Sequence, residues 1–443
     1  MRLKRRLVYC AASISVVAMT FNFANAQGLS KLDRQSAEQM LKTISGDVEK
    51  HYYDPKIHGV DWNAKVAEFK QRIDSANSMN AALTMVAAAL DTLNDSHTFF
   101  LPPVRPYLHD YGWKIQMIGD RCYVTEVRPN SDAESKGVKP GDEVLTVNGF
   151  TPTVDDMWKM NYLFNVLRPQ PGLNIVVQTP SGQQRSVAIM AKIRQFKRVL
   201  DVTGENDAAD IWQLIRQEET ADHLSRARWV EHGDVMILKF PEFSDWSNSE
   251  IWDMLKKARD HKALIIDLRG NSGGSVDTLE QVISHIFDHD VKVADRVERN
   301  STKPEVVKTN HHDQIPSKLI VLVDRESASA SEIFARLVQI EKRGIILGDH
   351  TAGAVMEAKD YSYSSGMDTV SYYGASITEA DLVMSDGKSL EHVGVMPDEM
   401  ILPTAADLAS GRDPVLSRAV AIAGENLDPQ AASKLFPYEW APE

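Results

Sequence analysis

The sequence predicts a multidomain chain of mixed α/β and α+β class, and three stretches carry that reading. Apolar residues recur at helical spacing near the N-terminus, short strands with turn punctuation fill the middle, and strands alternate with helices further on. In the first stretch Ala37, Met40, Leu41, Ile44 and Val48 share one helical face, as do Ala82, Leu83, Val86, Ala89, Leu90 and Leu93. That block ends at Asn94-Asp95-Ser96-His97-Thr98, a loop carrying a histidine. The middle stretch, 105–195, contains the strand 123–127, a short helix near Ser131-Asp132-Ala133, a turn at Lys139-Pro140-Gly141 and the strand 143–147. Residues 196–225 read as an acidic helical connector with Ile211, Leu214 and Ile215 on one face. The last block, 226–410, alternates strands (235–240, 264–268, 319–323, 345–347) with helices (249–260, 275–287, 332–342), and 411–443 is set apart as a C-terminal tail.

Before these comes a leader. Arg2, Lys4, Arg5 and Arg6 precede an apolar run from Leu7 to Phe23, and Ala24-Asn25-Ala26 offers a small-residue cleavage site, so 1–26 reads as a signal peptide and 27–104 as the helical N-terminal part. The expected location is therefore exported, periplasmic or secreted, with no membrane anchor after cleavage. Of the two cysteines only Cys122 lies beyond the leader, so no internal disulfide is available and folding rests on the core. The net charge of −13 makes nucleic acid an improbable partner.

The candidate chemistry sits where the strand 319–323 turns into a helix, at Ser327-Ala328-Ser329-Ala330-Ser331-Glu332. A helix N-terminus leaves backbone N–H groups unpaired and partly positive, a setting that stabilises an oxyanion beside a nucleophilic serine. Serine is also a favoured helix cap, so the turn alone does not decide between the two. Three further segments stand beside it: the glycine turn Arg269-Gly270-Asn271-Ser272-Gly273-Gly274, the turn Gly348 to Gly353, and Leu390-Glu391-His392-Val393-Gly394-Val395-Met396-Pro397-Asp398. No Gly-Lys-Ser/Thr follows the glycine turn, which disfavours a nucleotide loop, and the histidines lack His-Glu-x-x-His spacing, which disfavours zinc. No cofactor or metal is expected.

In the middle stretch, the run Gly137-Val138-Lys139-Pro140-Gly141-Asp142-Glu143-Val144-Leu145-Thr146-Val147-Asn148-Gly149 resembles a PDZ domain. That resemblance implies a peptide C-terminus added as a strand after Gly112, its carboxylate held near Gly112, Trp113, Lys114 and Ile115. The four separated motifs, in this order and with such a module inserted, resemble the tail-specific and tricorn-type serine peptidases. The resemblance implies a peptidase core of the ClpP/crotonase-like type over 226–410 and a protein or peptide substrate, taken through its C-terminus.

The family uses two catalytic arrangements. The tail-specific type pairs the middle serine with a lysine directly after the Thr-x-Gly turn, and here Gly353 is followed by Ala354, with Lys359 five residues further. The tricorn type takes a histidine from the N-terminal part and a glutamate near Gly-Val-x-Pro-Asp, matching His97 and Glu391. The resemblance thus implies Ser329 as nucleophile and His97 as base, with Ser96 and Glu391 orienting the imidazole. Ala330 N–H and a glycine N–H, Gly273 or Gly274, would form the oxyanion hole. Choosing Ser329 over Ser327 and Ser331 rests on the family alone. The rival expectation is a noncatalytic peptide-binding protein that keeps the fold. Oligomeric state is left open.

Overall fold

The computed structural model describes residues 29–103, 105, 107–195, 226–244, 248–310, 313–365 and 371–441. The leader and the 196–225 connector lie outside them.

Three apolar, β-branched runs dictate the central sheet. Val235–Lys239, Ala263–Asp267 and Lys318–Val323 pair in parallel, flanked by Gly344–Gly348 and Glu399–Met400 on one side and by antiparallel Arg228–His232 on the other. Successive side chains leave a strand on opposite faces, and here both faces are covered. Leu319, Val321 and Val323 enter one core cluster with the helices Val276–Ile286 and Ala330–Ile340. Ile320 and Leu322 enter another with the helix Pro414–Ala423. A strand buried on both faces must be apolar throughout, which is why Leu319 to Val323 carries no polar residue. Residues 414–423 thus belong to the core and not to a separate tail.

The N-terminal helices Lys31–His51, Trp62–Asp74 and Met79–Asp91 each start at a capping side chain (Ser30, Asp61, Ser78) and pack their apolar faces on a second sheet. That sheet contains Phe99–Leu101, Met356–Ser365, Ser371–Met384, Val291–Glu298 and Thr302–Val307. Met356–Ser365 and Ser371–Met384 form its long hairpin, beyond the four strands read from the sequence of 226–410. Tyr361, Tyr363 and Tyr373 supply the strand propensity, and Tyr363 pairs with Tyr373 across the ladder.

The β-rich module forms a five-stranded antiparallel sheet in the order Trp113–Ile118, Arg121–Val127, Glu143–Val147, Gly172–Gln178, Gln184–Met190. Trp113–Ile118 is its edge strand, and that edge faces the central domain. Lys114 Nζ pairs with Glu326 (2.8 Å), Gln116 Nε2 donates to Asp324 Oδ2 (2.6 Å), and Gly119 N–H donates to Asp349 Oδ2 (2.6 Å). The C-terminal segment also reaches this module, where Arg128 donates to the Ala441 carbonyl (2.9 Å) and stacks over Trp440. Among the described residues no helix is long and apolar enough to cross a membrane.

Phe334 is fully buried between the central sheet and its helices. Phe334→Ala is expected to cost about 3–5 kcal/mol, read as a lowered denaturation midpoint with an unchanged slope.

Candidate active site

Ser329 occupies the turn from Lys318–Val323 into the helix Ala330–Ile340, at φ 53° and ψ −117°. A residue with a Cβ rarely adopts that conformation, which costs about 1–3 kcal/mol and persists only when its surroundings impose it. Several bonds do so. Ser329 N–H donates to the Ala354 carbonyl (2.9 Å) and to Glu332 Oε2 (3.1 Å), while Ala328 N–H donates to the Asn271 carbonyl (3.0 Å). Ser329 and Glu332 stand in the capping-box relation, yet the serine side chain makes no cap hydrogen bond. Glu332 N–H turns to the Ser329 carbonyl instead (2.9 Å), and the Ser329 hydroxyl is left for other use.

Its neighbours are spent. Ser327 and Ser331 are fully buried, the first donating to the Leu268 carbonyl (2.8 Å) and the second to that of Asn271 (3.0 Å). Of the three serines only Ser329 is partly exposed. The hydroxyls of Ser327 and Ser331 are thus committed to backbone carbonyls.

At the helix start, the N–H groups of Ser331, Glu332 and Ile333 are satisfied by the Ala328 and Ser329 carbonyls. No acceptor among the described residues meets the N–H of Ala330 or that of Gly274. Gly273 has φ +104°, and a Cβ there would stand 2.6 Å from Ser329 Cβ and 3.1 Å from Ala330 N. Only glycine keeps that space open for a ligand. The Gly273 N–H itself is taken by Asn271 Oδ1 (2.8 Å), so of the two glycines held as oxyanion donors the arrangement leaves Gly274.

His97 comes from the loop before Phe99–Leu101. Asp95 Oδ1 shapes it by accepting from His97 N–H (2.9 Å), Thr98 N–H (2.7 Å) and Thr378 Oγ1 (2.7 Å), which ties the loop to the long strand Ser371–Met384. Ser96 Oγ lies 2.7 Å from His97 Nδ1 and donates to Glu391 Oε2 (2.8 Å). A hydroxyl has one proton to give, and the Glu391 carboxylate only accepts, so Nδ1 carries a proton to Ser96 and Nε2 is left basic. Glu391 also accepts from Ser96 N–H (2.7 Å) and Val355 N–H (2.9 Å). Burial pushes the His97 pKa below its ordinary 6.5, against the opposing fields of Glu391, Asp95 and Asp360.

The histidine loop and the serine turn meet through one stretch of backbone. Gly353 and Ala354 N–H bind the Glu332 carboxylate, and the next N–H, Val355, binds Glu391. No hydrogen bond joins Ser329 Oγ to His97 Nε2 in this structure. Lys359 stands exposed on Met356–Ser365, paired with Ile377, with its ammonium 5.7 Å from the Tyr361 ring centre. Among the described residues no group of acidic, histidine and cysteine side chains could hold a metal.

The model of Peptidase family S41 matches residues 234–401, and that of the Tricorn protease C1 domain matches 33–86. The chain thus carries a peptidase family S41 domain over residues 234–401. A tail-specific protease of Haemophilus influenzae is 26% identical to this serine peptidase over 323 residues, 69% of this chain and 43% of that protein. The chloroplastic carboxyl-terminal-processing peptidase 3 of Arabidopsis thaliana is 24% identical over 418 residues, 89% of this chain and 76% of its own. Mature CPAF shares the fold, with a TM-score of 0.63 at 18% identity over 85% of this chain and 94% of its own.

In the β-rich module of this peptidase the four residues singled out for peptide binding lie together at the start of the edge strand. Gly112 N–H donates to Asp110 Oδ1 (2.8 Å), and Asp110 in turn pairs with buried Arg128 (3.0 Å). Lys114 is engaged by Glu326. A cavity of about 170 Å³ opens beside Gly112, lined by Tyr111, Arg128, Ser131 and Lys192 among others. Sequence reasoning missed Glu332, Asp95 and Asp324. The Ser-x-x-Glu spacing of 329 and 332 was the available signal for the first, and it reads most simply as a cap.

The geometry predicts the His97 tautomer. Nitrogen shifts of His97 should report Nδ1–H at neutral pH and a titration below 6.5, and Ser96→Ala should abolish the preference for Nδ1–H.

Proposed function

We propose that this peptidase is exported and hydrolyses peptide bonds through an acyl-enzyme formed on Ser329, with His97 as base and its β-rich module acting as a PDZ domain that selects or gates substrates by their C-termini. The observation that carries it is the strained Ser329, with its hydroxyl unspent at a helix N-terminus, in the same backbone network as a histidine whose Nε2 is left basic. Ser329 Oγ attacks the substrate carbonyl carbon while its proton passes to His97 Nε2, and the imidazolium is stabilised through Ser96 and Glu391. The oxygen that gains charge accepts from Ala330 and Gly274 N–H. Collapse breaks the C–N bond, the leaving amine takes the proton from His97, and water activated by the same nitrogen releases the acyl group.

A displaced Ser–Lys pair is disfavoured by the register of the chain. Glu332 holds Ala354 N–H, Glu391 holds Val355 N–H, and the ladder that starts at Met356, bulged between Glu357 and Ala358, sets Lys359 opposite Ile377, five residues beyond Ala354. The expected core type is ClpP/crotonase-like, in keeping with the parallel sheet and its helices. Gating is supported by Asp324. One carboxylate oxygen accepts Gln116 of the module's edge strand, and the other accepts Gly270 N–H (2.9 Å) and Glu326 N–H (3.0 Å), beside both the glycine turn and the serine turn. A strand added at that edge must disturb these contacts. The Haemophilus and Arabidopsis relatives, by their names, act on tails and carboxyl termini, and the leader at 1–26 supports export.

A fluorophosphonate probe should label the mature protein at Ser329, fail with Ser329→Ala, slow by about 10²–10⁴ with His97→Ala, and react normally with Lys359→Ala. Labelling that survives His97→Ala and disappears in Lys359→Ala would overturn the mechanism. Because the base must be neutral, kcat/KM should rise with pH through a pKa below 6.5. Glu391→Gln removes a field that raises that pKa, so the limb should move to lower pH. Gln116→Ala should alter kcat for a substrate with a free C-terminus more than for its amidated form, and equal effects would argue against gating.

A further inference from the structure

Beyond the nucleophile and its base, the buried carboxylate of Glu332 has no part in the scheme above, yet it holds more of the site than any other side chain. It is fully buried at the third position of the helix. Oε1 accepts from Thr351 Oγ1 (2.5 Å) and Gly353 N–H (2.8 Å), and Oε2 accepts from Ala354 N–H (2.9 Å) and Ser329 N–H (3.1 Å). Four donors fill the acceptor capacity of a carboxylate. Thr351 Oγ1 in turn accepts from Val395 N–H (2.6 Å), which brings in the Gly394-Val395-Met396-Pro397 segment beside Glu391.

We propose that Glu332 is the positioning residue of the nucleophile, holding Ser329 in its strained conformation and fixing the 351–354 backbone against it. The inference rests on the peptidase reading of Ser329. Ser329 Oγ faces the Glu332 N–H in the capping-box relation without a cap hydrogen bond, while the Glu332 carboxylate accepts Ser329 N–H; the hydroxyl proton is left free for a base. The same carboxylate diverts Ser329 N–H inward, leaving Ala330 N–H as the first open donor of the helix. Burial pushes the Glu332 pKa up to about 7, opposed by the Thr351, Ala354, Gly353 and Ser329 donors. An amide at this position would face N–H groups with its own NH2, so Glu332→Gln breaks the network with little change in volume.

The test compares Glu332→Gln, Thr351→Val and Ser329→Ala in the full chain with a chromogenic peptide and a fluorophosphonate. Glu332→Gln should fold, lose about 10²-fold in kcat with KM unchanged, and slow in labelling by the same factor, as expected for a displaced reacting group. Thr351→Val should fold and show a smaller loss in kcat. Wild-type turnover and labelling in Glu332→Gln would overturn the proposal. So would a loss that disappears when the variant is assayed well below its melting temperature, since the role is then only structural. Should Glu332→Gln not fold, Thr351→Val decides, and wild-type kcat there also overturns the proposal. Persistent labelling of Ser329→Ala would remove the peptidase reading itself, whereas an inert Ser329→Ala beside a fully active Glu332→Gln would remove only the role of Glu332.

Discussion

Two carboxylates grip adjacent backbone amides: Glu332 binds Ala354 N–H and Glu391 binds Val355 N–H. The serine turn hangs from the first and the histidine loop from the second. These regions lie on different sheets, and nothing in the continuous ladders obliges them to converge. What brings them together is the segment before Met356, whose Gly353 and Ala354 N–H groups bind Glu332 and whose Val355 N–H binds Glu391. One carboxylate from each region makes that segment a bridge.

Such a bridge is costly to assemble. A buried carboxylate must recover its lost hydration from donors, and without them it takes up a proton. Glu332 stands near that balance, with burial driving its pKa to about 7 against four donors. Strain at Ser329 has the same source, because a serine is held in a glycine-like conformation only where the surrounding bonds outweigh the preference. Burial, strain and an unspent hydroxyl therefore belong to a single arrangement.

The central sheet and the helical N-terminal part were legible because burial imposes a period. Leu319 to Val323 had to be apolar on both faces, and Ala37 to Val48 had to repeat along one. The long hairpin after Met356 was not legible, since Lys359-Asp360-Tyr361-Ser362-Tyr363 alternates polar and aromatic residues over a mostly half-exposed ladder, a pattern shared with loops. At the site, residue identities pointed to Ser329, His97 and Glu391, but choosing among three serines required knowing which hydroxyls the fold consumes. Gly273 and Gly274 differ only in where each N–H points, and sequence carries no such direction. Glu332 was hidden for the opposite reason, since a Ser-x-x-Glu helix start has an ordinary explanation that is half correct.

The alanine at 354 follows from the same bridge. A lysine there would stand on the backbone segment that Glu332 and Glu391 hold, and a base of that kind must be desolvated to lose its proton near neutrality. Two nearby carboxylates would favour the charged ammonium and oppose that loss. Glu391, committed instead to Ser96, orients an imidazole that is already neutral at pH 7 and needs only its tautomer fixed. The residue at 354 and the acid at 391 therefore constrain each other. Under the proposed mechanism the base comes from the other sheet, where Asp95 and Thr98 anchor the His97 loop to Ser371–Met384.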